Sequence, residues 1–287
     1  MPDTLIWAHS ALRPVFTKLP SSVQAGARSL YRWLLSQRYG QDGLAIAVQN
    51  ERSWRLDPLV ALRGEVAELE TIQAFRRVVQ PGMDVIDVGA NVGQMTLELA
   101  HLVGDQGRVV AVEPGPGNLR LLERHVQGNG MGDRVLMEAA ACTDQPDQTI
   151  TLNILGSDTD DIGSGFSVVD AAKLPNPHQL PTHAYPVSTT TVDALVARYA
   201  LTPGFLKIDV EGAELQVLQG AQQTLKQYRP IVLVGFHPFA FEDAIAAGQA
   251  LMNLLPGYSL ATLAGETVAY PQTLAEYLAQ PLPDLKP

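Results

Sequence analysis

At 287 residues, with 46% hydrophobic and 17% charged side chains, the chain has the composition of a packed globular protein and excludes a disordered one. Its net charge of −10 sets most of the surface against a phosphate backbone, so a general nucleic-acid binder is not expected. Cys142 is the single cysteine, which excludes an internal disulfide framework or a cysteine-based zinc site and suggests a small buried apolar residue in a reducing interior.

The N-terminus, MPDTLIWAHSALRP, lacks the positive start and apolar core of a signal peptide. No apolar run approaches the ~20 residues of a membrane span, and a cytoplasmic location is expected. Residues 1–40 carry Arg13, Lys18, Arg28, Arg32 and Arg38 against Asp3 alone, and their apolar spacing predicts amphipathic helices broken at 20–22. That segment is read as a helical cap, with a peripheral membrane or partner contact as the alternative. Residues 43–56 alternate around a polar turn and predict a β-hairpin, and 64–80 predict a helix.

Strands are then expected at Val85–Val88, Val109–Val112, Val135–Ala139, Ile150–Ile154, Phe205–Val210 and Ile231–Val234. Helices are expected at Gln94–Leu102, Gly117–Gln127, Thr191–Tyr199, Ala213–Leu225 and Phe241–Leu254. Residues 155–186 read as one long loop, and Ser259–Leu263 with Thr267–Tyr270 as a closing antiparallel pair. Alternating strands and helices predict an open, doubly wound, mostly parallel α/β domain over 70–287 behind an accessory region at 1–69.

The stretch DVIDVGANVGQMT breaks a strand with Asp87, Gly89, Asn91 and Gly93 at the place where open parallel sheets bind ligands. Glycine would let the backbone pass close to a ligand, and the exposed amides of the next helix favour electron-rich groups. In VVAVEPGPGN, Glu113 ends the second strand twenty residues after Gly93, placed to accept both hydroxyls of a ribose. The turn lacks the second and third glycines of a nicotinamide fingerprint and the G-K-[ST] of a P-loop. An acid before the first glycine suits a positively charged ligand, and S-adenosylmethionine combines that charge with a ribose.

With LKIDVEGAELQVLQGA at 206–221 added to these blocks, the sequence resembles the FkbM family of S-adenosylmethionine-dependent methyltransferases, from about Glu68 to His237. The resemblance implies a seven-stranded class I methyltransferase sheet with a last antiparallel strand. It implies that Asp87, Gly89, Asn91 and Gly93 hold the methionine moiety and Glu113 the ribose. Similar proteins commonly methylate hydroxyls of natural products or saccharides, so a small-molecule or saccharide acceptor is expected. Where similar sequences often carry Glu, this chain has Gly235, which raises the alternative of an inactive cofactor-binding partner protein. A nicotinamide-dependent reductase is the remaining enzyme alternative.

A hydroxyl acceptor needs a base or a metal ion to raise its nucleophilicity. Asp209 and Glu211 point the same way on an extended segment, with Glu214 one turn into the next helix. These acids are candidates for positioning the acceptor or holding a divalent cation, or simply for capping the helix. His237, at the end of the fifth strand, is the first candidate for general base. His178 and His183, in the 155–186 segment, are weaker ones, and Lys207 is expected to pair with a carboxylate.

Overall fold

The computed structural model describes residues 43–48, 52–58, 69–155, 167–168 and 182–283, together with positions 30, 33, 34, 37, 38 and 60. The chain divides into two compact units, Met1–Glu68 and Leu69–Pro287. In the first, β1 (Leu44–Val48) pairs antiparallel with β2 (Arg52–Leu56), in register from Leu44↔Leu56 to Val48↔Arg52. The hairpin follows the alternation of GLAIAVQNERSWRL, which buries Trp54 and Leu56. Of the helices expected over 1–40, positions 30, 33, 34, 37 and 38 are helical; the rest lies outside the described residues.

The second unit opens with α1 (Leu69–Val78), whose Ile72, Phe75 and Val78 recur at helical spacing and are buried. Next come β3 (Asp84–Val88), α2 (Gln94–Val103), β4 (Arg108–Val112), α3 (Pro116–Gly128) and β5 (Val135–Glu138). Pro116 starts α3, where its missing N–H costs nothing. A smaller group follows: β6 (Ala141–Cys142), β7 (Thr149–Leu155), β8 (Ser167–Val168) and β9 (Thr182–Thr190). Then α4 (Val192–Tyr199), capped by the Thr191 hydroxyl, leads to β10 (Pro203–Ile208). The chain closes with α5 (Glu214–Gln219), α6 (Gln222–Tyr228), β11 (Ile231–Phe236), α7 (Ala244–Asn253), β12 (Tyr258–Thr262), β13 (Thr267–Val268) and β14 (Ala275–Pro281).

The main sheet runs β13-β12-β14-β11-β10-β3-β4-β5 among the described residues. Neighbours from β11 to β5 are parallel, and β14 is antiparallel to both β11 and β12. This is the expected seven-stranded, doubly wound sheet with its antiparallel strand, extended by the two-residue β13. The chain builds outward from β3 to β5 and then resumes at β10 on the other side of β3. That reversal is the switch point, and it sets the carboxyl ends of β3 and β10 side by side.

Three expectations are corrected. The antiparallel pair of β12 and β13 exists but does not join β11 directly: β14 lies between, and its sequence AEYLAQP is a weak strand former held by burial of Tyr277, Leu278 and Ala279. The helix expected over 213–225 is two short ones. The Thr143 carbonyl oxygen approaches Gly220 too closely for any β-carbon, and the Gly220 carbonyl accepts from Asp193 N (3.0 Å), which ends α5. The Asp193 carboxylate then accepts from the amides of Gln223 and Thr224 at the start of α6. Finally, the long loop is shorter than expected: β9 takes Thr182–Thr190 and pairs antiparallel along β7, with β8 on β7's other edge. The remainder of 156–181, His178 included, lies outside the described residues.

Gly89 adopts φ +81°, and a β-carbon there would overlap the Asp209 carbonyl oxygen. Gly89→Ala is therefore expected to cost roughly 2–4 kcal/mol in urea unfolding, from strain and backbone displacement together. A loss under ~0.5 kcal/mol would contradict the close packing of these two strand ends.

Candidate active site

At the switch point the side chain of Asp87 is fully buried. Its Oδ2 accepts from the Thr96 hydroxyl of α2 (2.7 Å), and its Oδ1 lies 3.3 Å from Lys207 Nζ on the neighbouring β10. The buried Lys207 ammonium also reaches Asp209 Oδ2 (3.6 Å) and donates to the Gly89 carbonyl (3.3 Å). Burial works against its charge, but Asp87, Asp209 and Glu276 outweigh that and raise its pKa, so it stays an ammonium. Lys207 thus pairs with carboxylates as expected. Asp87, however, faces protein and not the cleft.

The glycines of the turn also serve the packing behind it. The space a side chain would take at Gly89 holds the Asp209 carbonyl, and at Gly93 (φ +90°) it holds Leu122 of α3. They permit close packing of protein on protein. Asn91, also left-handed at φ +51°, donates its amide to Glu113 Oε2 (2.9 Å). Its side-chain Oδ1 is buried with no hydrogen-bond partner among the described residues.

Glu113 is 4% exposed; its Oε1 accepts from Gly115 N (2.8 Å) and Asn118 Nδ2 (3.2 Å). Burial raises its pKa against the lowering effect of these three hydrogen bonds, with the Asp87 charge adding to the rise. A carboxylate has about four acceptor positions, so capacity for a hydroxyl remains.

Beyond β10, Asp209, Glu211 (φ +54°) and Gly212 (φ +105°) form a strained turn into α5. His237, beyond β11, is buried beneath it. Its Nδ1 lies 2.6 Å from Glu214 Oε1, while Nε2 lies 3.4 Å from Glu211 Oε2 and 3.7 Å from Asp209 Oδ1. Burial opposes the imidazolium, but Glu214, then Glu211 and Asp209, raise the pKa above the ordinary histidine value. The edge of the half-exposed Phe239 ring meets the imidazole at a centroid distance of 5.6 Å. A β-carbon at Gly235 would lie 2.9 Å from Asp209 Oδ1 and 3.3 Å from the imidazole. A side chain at 235 would therefore crowd the Asp209 carboxylate and the His237 ring.

A cleft of about 580 Å³ joins these parts. Gly89, Asn91, Glu113, Asp209 and Glu211 line it; Asp87, Gly93 and His237 stand behind the lining. The opposite wall was not foreseen: Ala140, Ala141 and Cys142, then Ile150 and Leu152 from β7 and Thr189 from β9. The alternation of TITLNIL marks a strand with one apolar face, which is the signal of that second sheet. Burial pushes the Cys142 thiol up to about 12, so it serves as an apolar surface and not as a nucleophile. His183 belongs to β9, with its backbone paired to Ile154. Among the described residues no group of three or more His, Cys, Asp or Glu side chains is disposed to hold a metal ion. Asp209 is instead engaged with Lys207 and His237.

Residues 87–262 match the family described as the methyltransferase FkbM domain. Among solved structures, a methyltransferase FkbM from Methylobacillus flagellatus KT aligns at 17% identity and TM-score 0.43, over 72% of this chain and 50% of that one. The alignment thus spans half of that protein's length. A SAM-dependent O-methyltransferase from Thermotoga maritima aligns at 14% identity and TM-score 0.41, over 83% of this chain and 71% of that one. An O-methyltransferase from Bacillus cereus in complex with SAH aligns at 13% identity and TM-score 0.42, over 75% and 81%.

Replacing Lys207 by Met leaves Asp87 buried with an uncompensated charge, and is expected to cost about 3–5 kcal/mol in urea unfolding. His237 contributes through a raised folded pKa. Its stabilisation is therefore complete below the unfolded value of ~6.5 and is lost as pH rises through the folded one. The stability difference between wild type and His237→Gln should accordingly shrink from about pH 6 to about pH 9, measured by urea midpoints. A difference that grows over that range would contradict the assignment of the carboxylates around the ring.

Proposed function

This chain belongs to the FkbM methyltransferase family, and on that premise we propose that it transfers a methyl group from S-adenosylmethionine to a hydroxyl of a small molecule, natural product or saccharide. The observation that carries the reading is the unpartnered, buried Oδ1 of Asn91 beside Glu113 on the cleft wall. A buried acceptor atom without a donor is costly to keep, and a turn of the Asn91 side chain toward the cleft would let a ligand's ammonium satisfy it. When bound, S-adenosylmethionine supplies a methyl group on a sulfonium centre as the electrophile.

Asn91 and Gly89 would hold the methionine end and Glu113 a ribose hydroxyl. The apolar surface of Ala140 to Cys142 suits a flat base. Asp87 and Gly93 act from behind, by fixing the turn that presents these groups. Asp209 and Glu211 form the wall against which the acceptor hydroxyl is seated. Its proton leaves through that wall to Nε2 of His237, within reach of Glu211. The cleft would orient the acceptor hydroxyl toward the methyl group. The inactive-partner reading rested on a carboxylate missing at 235, yet three carboxylates already surround His237. Location in the cytoplasm is proposed on composition; no helix of the described residues is long and apolar enough to cross a membrane.

Calorimetry with S-adenosylmethionine tests this, with NADH in parallel. Asn91→Gly keeps the left-handed backbone but removes Oδ1, and should weaken S-adenosylmethionine about tenfold, the loss of one charge-assisted hydrogen bond. Binding of NADH in preference would favour the reductase and reject this reading. Once an acceptor turns over, the rate should rise with pH to an inflection above the ordinary histidine value, because His237 must be unprotonated to take the proton. A rate that falls across neutrality would remove His237 from the proton's path.

A further inference from the structure

Glu214 has no place on the cleft wall, yet it is fully buried. An acid in the first turn of a helix can favour the dipole from an exposed position at no desolvation cost. This one instead accepts at Oε1 from Gly212 N (3.0 Å) and meets His237 Nδ1 there at 2.6 Å, while Oε2 is left without a hydrogen-bond partner among the described residues. Burying a carboxylate so incompletely is costly unless the contact it makes is needed.

The charged groups around the His237 ring come from three directions. Glu214 approaches from α5, Glu211 and Asp209 from the turn after β10, and Lys207 stands behind Asp209 on β10. A neutral imidazole has one N–H, and here carboxylates compete for it at both nitrogens. If the proton sat on Nε2, the ring would donate to Glu211 and have nothing to offer an incoming proton from the cleft. The 2.6 Å contact to Glu214, against 3.4 and 3.7 Å on the other side, decides that competition.

We propose that Glu214 is a positioning residue that keeps the proton on Nδ1 of His237, leaving Nε2 as the nitrogen that gains and loses a proton behind the cleft wall. The use made of Nε2 rests on the methyl-transfer reading; the state of the ring does not.

Nitrogen-15 NMR of the full chain with labelled histidine reads the tautomer directly. In the wild type above its titration, Nδ1 carries the proton and Nε2 is bare. Glu214→Gln keeps an oxygen in place, so the tautomer persists, while loss of the charge moves the titration midpoint to lower pH. Glu214→Ala releases the ring to the Nε2–H form. An Nε2–H ring in the wild type, or a midpoint unmoved in Glu214→Gln, would overturn the proposal, and neither depends on the alanine variant folding. Calorimetry on the same samples separates the two readings. Failure to bind S-adenosylmethionine removes methyl transfer and leaves the tautomer assignment standing, whereas normal binding with a contrary tautomer removes only the role of Glu214.

Discussion

A lysine ammonium enclosed by two aspartates, on adjacent strands at the point where the sheet reverses direction, fixes the geometry on which the cleft depends. Lys207 ties Asp87 of β3 to Asp209 beyond β10 and holds the Gly89 carbonyl. Buried ion pairs of this kind contribute little net stability compared with an apolar substitute, but breaking one is expensive. Its consequence here is positional. The turn that carries Asn91 and the turn that carries Glu211 are both anchored to the same ammonium, so the two sides of the cleft share one origin.

From that origin the chemistry divides. On one side, the backbone amides of the β3 and β4 ends converge on Glu113, and Asn91 sits in a left-handed conformation with a buried oxygen that has no partner among the described residues. On the other, three carboxylates surround one imidazole, which raises its affinity for a proton despite its burial. The first arrangement suits a ligand with an ammonium and a ribose, the second a proton that must be taken away. The small sheet of β7 and β9 adds Ile150, Leu152 and Thr189 to the cleft lining.

The parallel part of the sheet could be read from the sequence because its strands are short apolar runs separated by helical periodicity. β14 could not, since Ala275, Glu276 and Gln280 carry no strand signal and its pairing is imposed by neighbours distant in sequence. Spacing pointed to residues that the fold gathers at or behind one cleft, but not to their orientation. Asp87 and Gly93 occur in a ligand-binding pattern, yet each faces protein, because a sequence pattern does not reveal what packs behind it. The contact between Glu214 and His237 spans 23 residues and joins α5 to the end of β11, so it emerges only once the chain is folded. At Gly235 the sequence showed only a carboxylate that similar sequences often carry and this chain lacks, while in the fold a side chain there would crowd Asp209 and His237.

The central claim is that the cleft at the switch point receives S-adenosylmethionine. A crystal structure with S-adenosylhomocysteine addresses it most directly. The account predicts the amino group within hydrogen-bond distance of Asn91 Oδ1, the ribose at Glu113, and the base against Ala140 to Cys142. Density for the ligand elsewhere, with Asn91 Oδ1 still without a donor, would contradict it.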